Sequence, residues 1–454
     1  MTLRSVSVLL GALLCAACSS TPQMMVMDSG VDAGPMDAGV DAGMVRMKGE
    51  DPPVGSYLTA VELNDPPLGR RLGDGLSLAL DQFNQPMLAY LDADPNGDGV
   101  ELDSQVAFTR WNGVDKRFQV PVVIGTVGAV AHAAPLQQVS LARDPVKGTL
   151  GVLFVHSMPA VKLALSTDEG ATWNIETVSD TGSAKVSNPQ LALYDGAIHA
   201  AWFDGEGRCT SGNACGAVKY RTRTLTTAFS AAVLAPNLSD TASQFDAPFA
   251  MALGPTHAPA LAYFGSADPL TTLNVIYWAP PSTSATKVTD SGSVTDFTGN
   301  RKPSLSLAFK GANPSVGYHL LRQADPEGLL WYQSSTAGSA WTTPISMPRT
   351  SSVAGAEITR LFQALAISSS GKIALVGNFA ANPQQQQCGG PKLSLSTDGT
   401  TFTTCSPDKG HLLNFAGEHV TAAYGSDNKL TLAFSYPTIG NPDAKAGLVL
   451  WRDP

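Results

Sequence analysis

Charge is scarce in this chain of 454 residues, and so are the signatures of familiar catalysts. Charged residues make up 15% of it, and 29 Lys and Arg stand against 38 Asp and Glu, a formal net charge of -9. That sign argues against nucleic acid or an anionic membrane surface as the main partner. There is no G-x-S-x-G nucleophile turn, no H-E-x-x-H zinc helix and no phosphate-cradling glycine loop. The 7 His are scattered along the chain. The apolar stretch near the N-terminus, Val6 to Leu14, is too short to cross a bilayer.

What is present is a repeat. Seven times after about residue 76 the chain runs a short apolar strand, a tight turn and a second apolar strand. The repeats open at Ser77, Ser140, Gln190, Ala250, Ser304, Gln363 and Val420. Each full repeat continues into a third and a fourth strand, as in Gln105 to Trp111 followed by Phe118 to Ile124. A repeat of this length made only of strands predicts an all-β fold, a seven-bladed β-propeller of four-stranded antiparallel blades. The seventh repeat reaches only its third strand, Gly447 to Trp451. An orphan β-like segment, Ser56 to Leu63, precedes the first repeat and is expected to supply the missing outer strand, which removes two open sheet edges.

The N-terminus divides the chain further. Arg4, the apolar core and Ala16-Ala17-Cys18 resemble a bacterial lipoprotein signal. The resemblance implies a signal peptide over 1–17 and lipidation of Cys18. Cys15 stands three before Cys18, where the pattern usually has Leu. Ser19 after the lipidated position implies delivery to the outer membrane, so the membrane is met only through the lipid. Residues 18–52 repeat Asp, Ala and Gly, as in Asp32-Ala33-Gly34 and Asp41-Ala42-Gly43. Such a tract buries too little apolar area to offset ordering and reads as a disordered tether before a propeller domain over 53–454. In an exported chain the four remaining cysteines are expected as two local disulfides, Cys209 with Cys215 and Cys388 with Cys405.

One motif narrows the class. Ser166-Thr167-Asp168-Glu169-Gly170-Ala171-Thr172-Trp173 fits S-x-D-x-G-x-x-W. A second copy runs from Ser334 through Gly338 to Trp341, with Thr336 at the Asp position, and a third runs from Ser396 through Asp398 to Phe402. This resembles the Asp box of sialidase-like, BNR-repeat propellers. The Ser and Asp side chains are suited to bond backbone N–H groups in a tight turn, Gly supplies unusual dihedrals, and the aromatic packs between sheets. These residues are therefore read as structural. In the family the boxes lie on the face away from the active site.

Function is expected on the other face, where the second-to-third-strand connections lie. Asp92, Asp94, Asn96, Asp98 and Asp103 follow D-x-D-x-N-G with a terminal acid, alternate oxygen ligands with a glycine bend, and form a candidate calcium site. Its terminal acid is Asp103 in place of Glu, and Val100 holds a position that often carries a polar ligand. His319, Arg322, Asp325 and Glu327 share one connection and are ligand-face candidates. His199 interrupts an inner strand and is read as a hydrogen-bonded core residue. No F/Y-R-I-P segment is present, and the arginines do not assemble into a sialidase triad by sequence. No catalytic residue is assigned. The reading is an envelope-anchored, non-enzymatic propeller binding a glycan or a protein. The alternatives are a diverged sialidase-like glycoside hydrolase and a structural scaffold.

Overall fold

The computed structural model describes residues 48–453, except 56, 64–70, 73–74, 94–103, 129–138, 158–159, 181–185, 209–213, 237–242, 246–248, 267–271, 294–303, 323–324, 348–362, 380–389, 406–418 and 437–445. All of these belong to one compact unit, Arg46–Pro454. The signal segment 1–17, Cys18, Asp94, Asn96, Asp98, Asp103, Cys209 and Cys388 lie outside the described residues, as do the side chains of Cys215, Cys405, Arg322, Asp325 and Glu327.

Seven antiparallel blades form the ring. The first is Ser77–Leu80, Pro86–Ala93, Gln105–Asn112 and Val122–Thr126. The second is Val139–Arg143, Leu150–His156, Ala160–Ser166 and Asn174–Thr177. The same order recurs through the sixth blade, whose strands are Gln363–Ile367, Ile373–Phe379, Gly390–Ser396 and Thr403–Cys405. A short strand, Ser243–Phe245, pairs with both Ala214–Thr224 and Pro259–Ser266 and so bridges the third and fourth blades.

The seventh blade holds Val420–Tyr424, Leu430–Tyr436 and Ala446–Arg452, and its outer strand is Tyr57–Leu63 from the start of the ring. Tyr57 pairs with Trp451 and Leu63 with Ala446, with a bulge between Thr59 and Val61. The expected closure is thus present. A strap at residues 48–55 reinforces it. Gln85 Nε2 donates to the carbonyls of Lys48 and Glu50 at 2.7 and 3.2 Å, and Trp111 Nε1 donates to the Glu50 carbonyl at 2.7 Å. Gly55 N–H reaches the Arg452 carbonyl at 2.8 Å, tying first blade to last.

The apolar residues lie between blades. A blade buried on both faces needs apolar side chains at successive positions, and Ile198 to Phe203 meets that need. Ile198, Ala200 and Trp202 pack toward the second blade with Leu153 and Leu163, while Ala201 and Phe203 pack toward the fourth with Leu261 and Tyr263. One such core lies between each pair of neighbours around the ring.

The first-to-second-strand turns interlock as well. In the third blade the turn is Asp195-Gly196, with φ of 45° and 80°, the left-handed pair that a two-residue hairpin requires. Asp144, in the neighbouring turn, accepts from the N–H groups of both at 3.0 and 2.6 Å. Asn84 and Asn428 make comparable links to Ser426 and Ser370.

Candidate functional site

The three third-to-fourth-strand turns have the geometry their residues dictate. Ser166 Oγ donates to Asp168 at 2.7 Å and accepts from Gly170 N–H at 2.8 Å. Asp168 also accepts from the Thr172 hydroxyl and N–H at 2.5 and 2.9 Å. Thr172, with Ser166, brings the Asp168 carboxyl down to about 2. The Asp398 turn repeats this, accepting from Thr400 and Thr401 N–H groups, each at 2.8 Å, and from Ser396 Oγ at 2.9 Å. With Thr336 in the Asp position, the middle turn is held by Ser339, whose N–H and hydroxyl donate to the Thr336 carbonyl at 3.3 and 3.1 Å. Both carboxylate oxygens of Asp168, and Oδ1 of Asp398, thus serve the turn. Arg110 lies on this face too, paired with Glu169 at 2.7 Å.

The opposite end of the ring is where the inner strands begin and the second strands run into their connections. Register places Ser77 opposite Ala89, Val186 opposite Asp204 and Ser304 opposite His319. Several connections are shorter than the sequence suggests, because the strands extend beyond the body as hairpins. Asn313–Arg322 and Asp325–Thr336 leave only 323–324 between them, and Arg322 faces Asp325 in register. Ala197–Arg208 and Ala214–Thr224 leave 209–213. The expected loop from His319 to Gly328 is therefore mostly strand, and His319 is buried at 2% exposure.

At this end the axis of the ring holds a cavity of about 260 Å³. Its polar lining comes from the inner strands: Ser77, Ser304 and Gln363 at their starts, Ser140 and Gln190 further along theirs, His419 just before the last, and Ser306 and Thr421 beyond. Part of this ring is structural. Ser77 Oγ accepts from Leu141 N–H at 2.9 Å and Ser140 Oγ from Leu191 N–H at 3.0 Å, stitching the first inner strand to the second and the second to the third. Gln363 Nε2 donates to the Ser304 carbonyl at 3.0 Å and to that of Gly317. Ser304 Oγ and Gln363 Oε1 are buried and have no hydrogen-bond partner among the described residues. Neither carboxylate nor guanidinium is among the described residues lining the cavity.

A second polar group lies in the third blade. Asp204 is fully buried and meets Lys219 Nζ at 2.8 Å. Asp180 lies 4.0 Å from the same ammonium and also pairs with Arg221, whose guanidinium sits 5.8 Å from the Trp202 ring. His199 takes the expected core role. Its Nδ1 lies 2.7 Å from the Tyr220 hydroxyl, and burial lowers its pKa. Of the proposed calcium ligands Asp92 alone is described, buried at the end of Pro86–Ala93. Among the described residues no group of three or more His, Cys, Asp or Glu is placed to hold a metal.

Sequence reasoning singled out neither the axial ring nor the Asp204–Lys219 pair. The ring had a signal, a polar residue opening apolar strands repeat after repeat. The ion pair had none, since Asp204 and Lys219 stand as single charges inside their strands, with nothing in the sequence to link them.

No protein-family profile matches this chain, and no curated protein sequence is significantly similar to it. Solved structures do resemble it. An ulvan lyase of a new polysaccharide lyase family is 12% identical, with a TM-score of 0.54 over 86% of this chain and 95% of that one. The polysaccharide lyase Uly1 is 11% identical, with a TM-score of 0.53 over 84% and 89%. An α-L-arabinofuranosidase from Fusarium graminearum is 15% identical, with a TM-score of 0.45 over 75% and 98%. At these identities the likeness is one of fold.

Proposed function

We propose that this protein is a non-enzymatic glycan-binding propeller that takes a neutral saccharide end at the axial cavity on the face of the second-to-third-strand connections. One observation carries the reading: the cavity presents hydroxyl, amide and imidazole groups and no described carboxylate. Hydroxyl-rich ligands are matched by such neutral donors and acceptors, and Ser304 Oγ and Gln363 Oε1 have bonding capacity to spare. Hydrolysis of a glycosidic bond would call for a pair of carboxyl groups flanking it. The fold neighbours are named for action on polysaccharides or arabinofuranosides, but the reading rests on the cavity. The three turns belong to the Asp-box class by their pattern and have no part in binding. A lipid at Cys18 holds the ring to the outer membrane, and calcium at Asp92 to Asp103 orders the neighbouring connection.

The test is a glycan array probed with the purified ring, with calcium and again with chelator. Binding of neutral glycans that falls at least tenfold in Gln190→Ala and Gln363→Ala is expected. A blank array, or binding indifferent to both substitutions, would overturn the assignment, and release of reducing sugar would transfer it to an enzyme.

A further inference from the structure

The protein shows in three places what fills the corner between blades on the turn face. Trp173 stacks edge-on against Phe108 with centroids 5.3 Å apart. Trp341 meets Tyr277 at 5.6 Å, and Phe402 meets Tyr332 at 5.1 Å. Each ring comes from the third-to-fourth-strand turn of one blade and covers the third strand of the blade before it. The corner between the sixth and seventh blades is built differently. The third strand of the seventh blade ends at Arg452, and Asp453 N–H bonds the Leu430 carbonyl at 2.8 Å. Asp453 thus stands where Ser166 stands opposite Leu150 in the second blade. Because the outer strand here is Tyr57–Leu63, no such turn joins it to the third strand of this blade.

A cavity of about 430 Å³ lies at this corner. Its walls are Leu393, Leu395, Tyr424 and Leu430, and Lys372, Asp398 and Asp453 are the charged residues on its lining. The volume falls within the span of ordinary small-ligand pockets, about 300–1,000 Å³. Leu395 is 36% exposed, a large apolar side chain at the opening, whereas Leu393 is buried. Burial and the Asp453 carboxylate push the Tyr424 phenol up to about 12, so its hydroxyl keeps its proton. At the corner of the second blade the indole N–H of Trp173 finds a carbonyl, that of Gly170, at 3.0 Å. Here the acceptor within reach is a carboxylate.

We propose that this corner is a binding site for a small aromatic ligand of indole size that bears an N–H or ammonium group, its ring seated on Leu393 and Leu395 and its nitrogen directed to Asp453. The ring takes the place that Trp173, Trp341 and Phe402 occupy at their corners. Ring burial supplies affinity, and Asp398 and Asp453, two carboxylates against the single ammonium of Lys372, favour cationic over anionic derivatives.

The experiment is calorimetric titration of the whole ring with tryptamine, indole and indole-3-acetate. Tryptamine is expected to bind most tightly, indole more weakly, and the acetate at least tenfold more weakly than tryptamine. Asp453→Asn is expected to cost tryptamine about tenfold and leave indole nearly unchanged. Leu395→Trp supplies the missing ring from within, and a folded variant should lose all three ligands. Asp453→Asn, at the periphery, keeps the test open should Leu395→Trp not fold. Failure of both tryptamine and indole to bind at millimolar concentration would overturn the proposal. So would equal binding of the acetate and the amine, or binding that survives unchanged in a folded Leu395→Trp.

Discussion

Replacing Gly113 with alanine is expected to unlatch the strap at residues 48–55. A Cβ at Gly113 would lie 2.3 Å from the Lys48 carbonyl oxygen and 2.6 Å from that of Glu50, closer than any real side chain approaches backbone. The clash falls on main chain, so it is relieved only by moving the strap. Four hydrogen bonds leave with it: Glu50 N–H to the Gly113 carbonyl at 2.8 Å, both bonds from Gln85, and that from Trp111. At about 1 kcal/mol net for each bond, the set contributes about 4 kcal/mol. Water reaching the released groups offsets part of this, and a loss of about 2–3 kcal/mol is expected. Urea unfolding followed by fluorescence measures it, with Trp111→Phe as the one-bond reference at about 1 kcal/mol. Trypsin supplies an independent readout, because cleavage after Lys48 should accelerate once the strap is free. An unchanged urea midpoint together with unchanged cleavage at Lys48 would refute the reasoning.

Three further outcomes follow from the same geometry. Gly170→Ala should cost about 2 kcal/mol or more, because φ is +89° there and the new Cβ would sit 2.4 Å from the Phe108 ring. Gly399→Ala, whose nearest contact is 3.3 Å, should cost less by thermal melting. His199 has a lowered folded pKa, so the stability it contributes is present above the ordinary value of 6.5 and is lost as pH falls through the lower folded value. His199→Gln should flatten the fall in melting temperature between neutral pH and about pH 5. Asp168, at about 2 against an ordinary 3.8, contributes stability that is present above the ordinary value and lost as pH falls through the folded one. Asp168→Asn should lower the melting temperature at neutral pH and shrink its acid-side fall.

The inner pairs of each blade were legible because burial on both faces leaves little freedom of residue type. Pro86–Ala93 is buried along its whole length and reads as a nearly unbroken apolar run. Outer strands carry no such mark. Val122–Thr126 has Val122 and Val123 exposed, and Val233–Leu234 is two residues long. The turns at Ser166 and Ser396 could be read because Ser, Asp and Gly are each demanded by one bond or one dihedral angle. The strap could not, since Lys48 and Glu50 bond through their carbonyls, which every residue has. The axial cavity was hidden for another reason. It is made by seven segments far apart in the chain, and only the closed ring brings Ser77 and His419 to one wall.

Closure by Tyr57–Leu63 also sets an order of events in time. This strand is made before any blade, yet its partner Ala446–Arg452 lies at the other end of the sequence, with almost the whole chain between them. Neighbouring blades join through short-range contacts and are able to assemble as the chain emerges, whereas this pairing waits for the last strand to leave the ribosome. Until then Tyr57–Leu63 has no partner strand, and Leu78, Leu88 and Tyr90 of the first blade, buried against the seventh in the finished ring, are uncovered. The chain therefore carries an unpaired strand and an uncovered apolar blade face while the ring is being made, and its period of greatest exposure to aggregation ends only when the first and last strands of the ring pair.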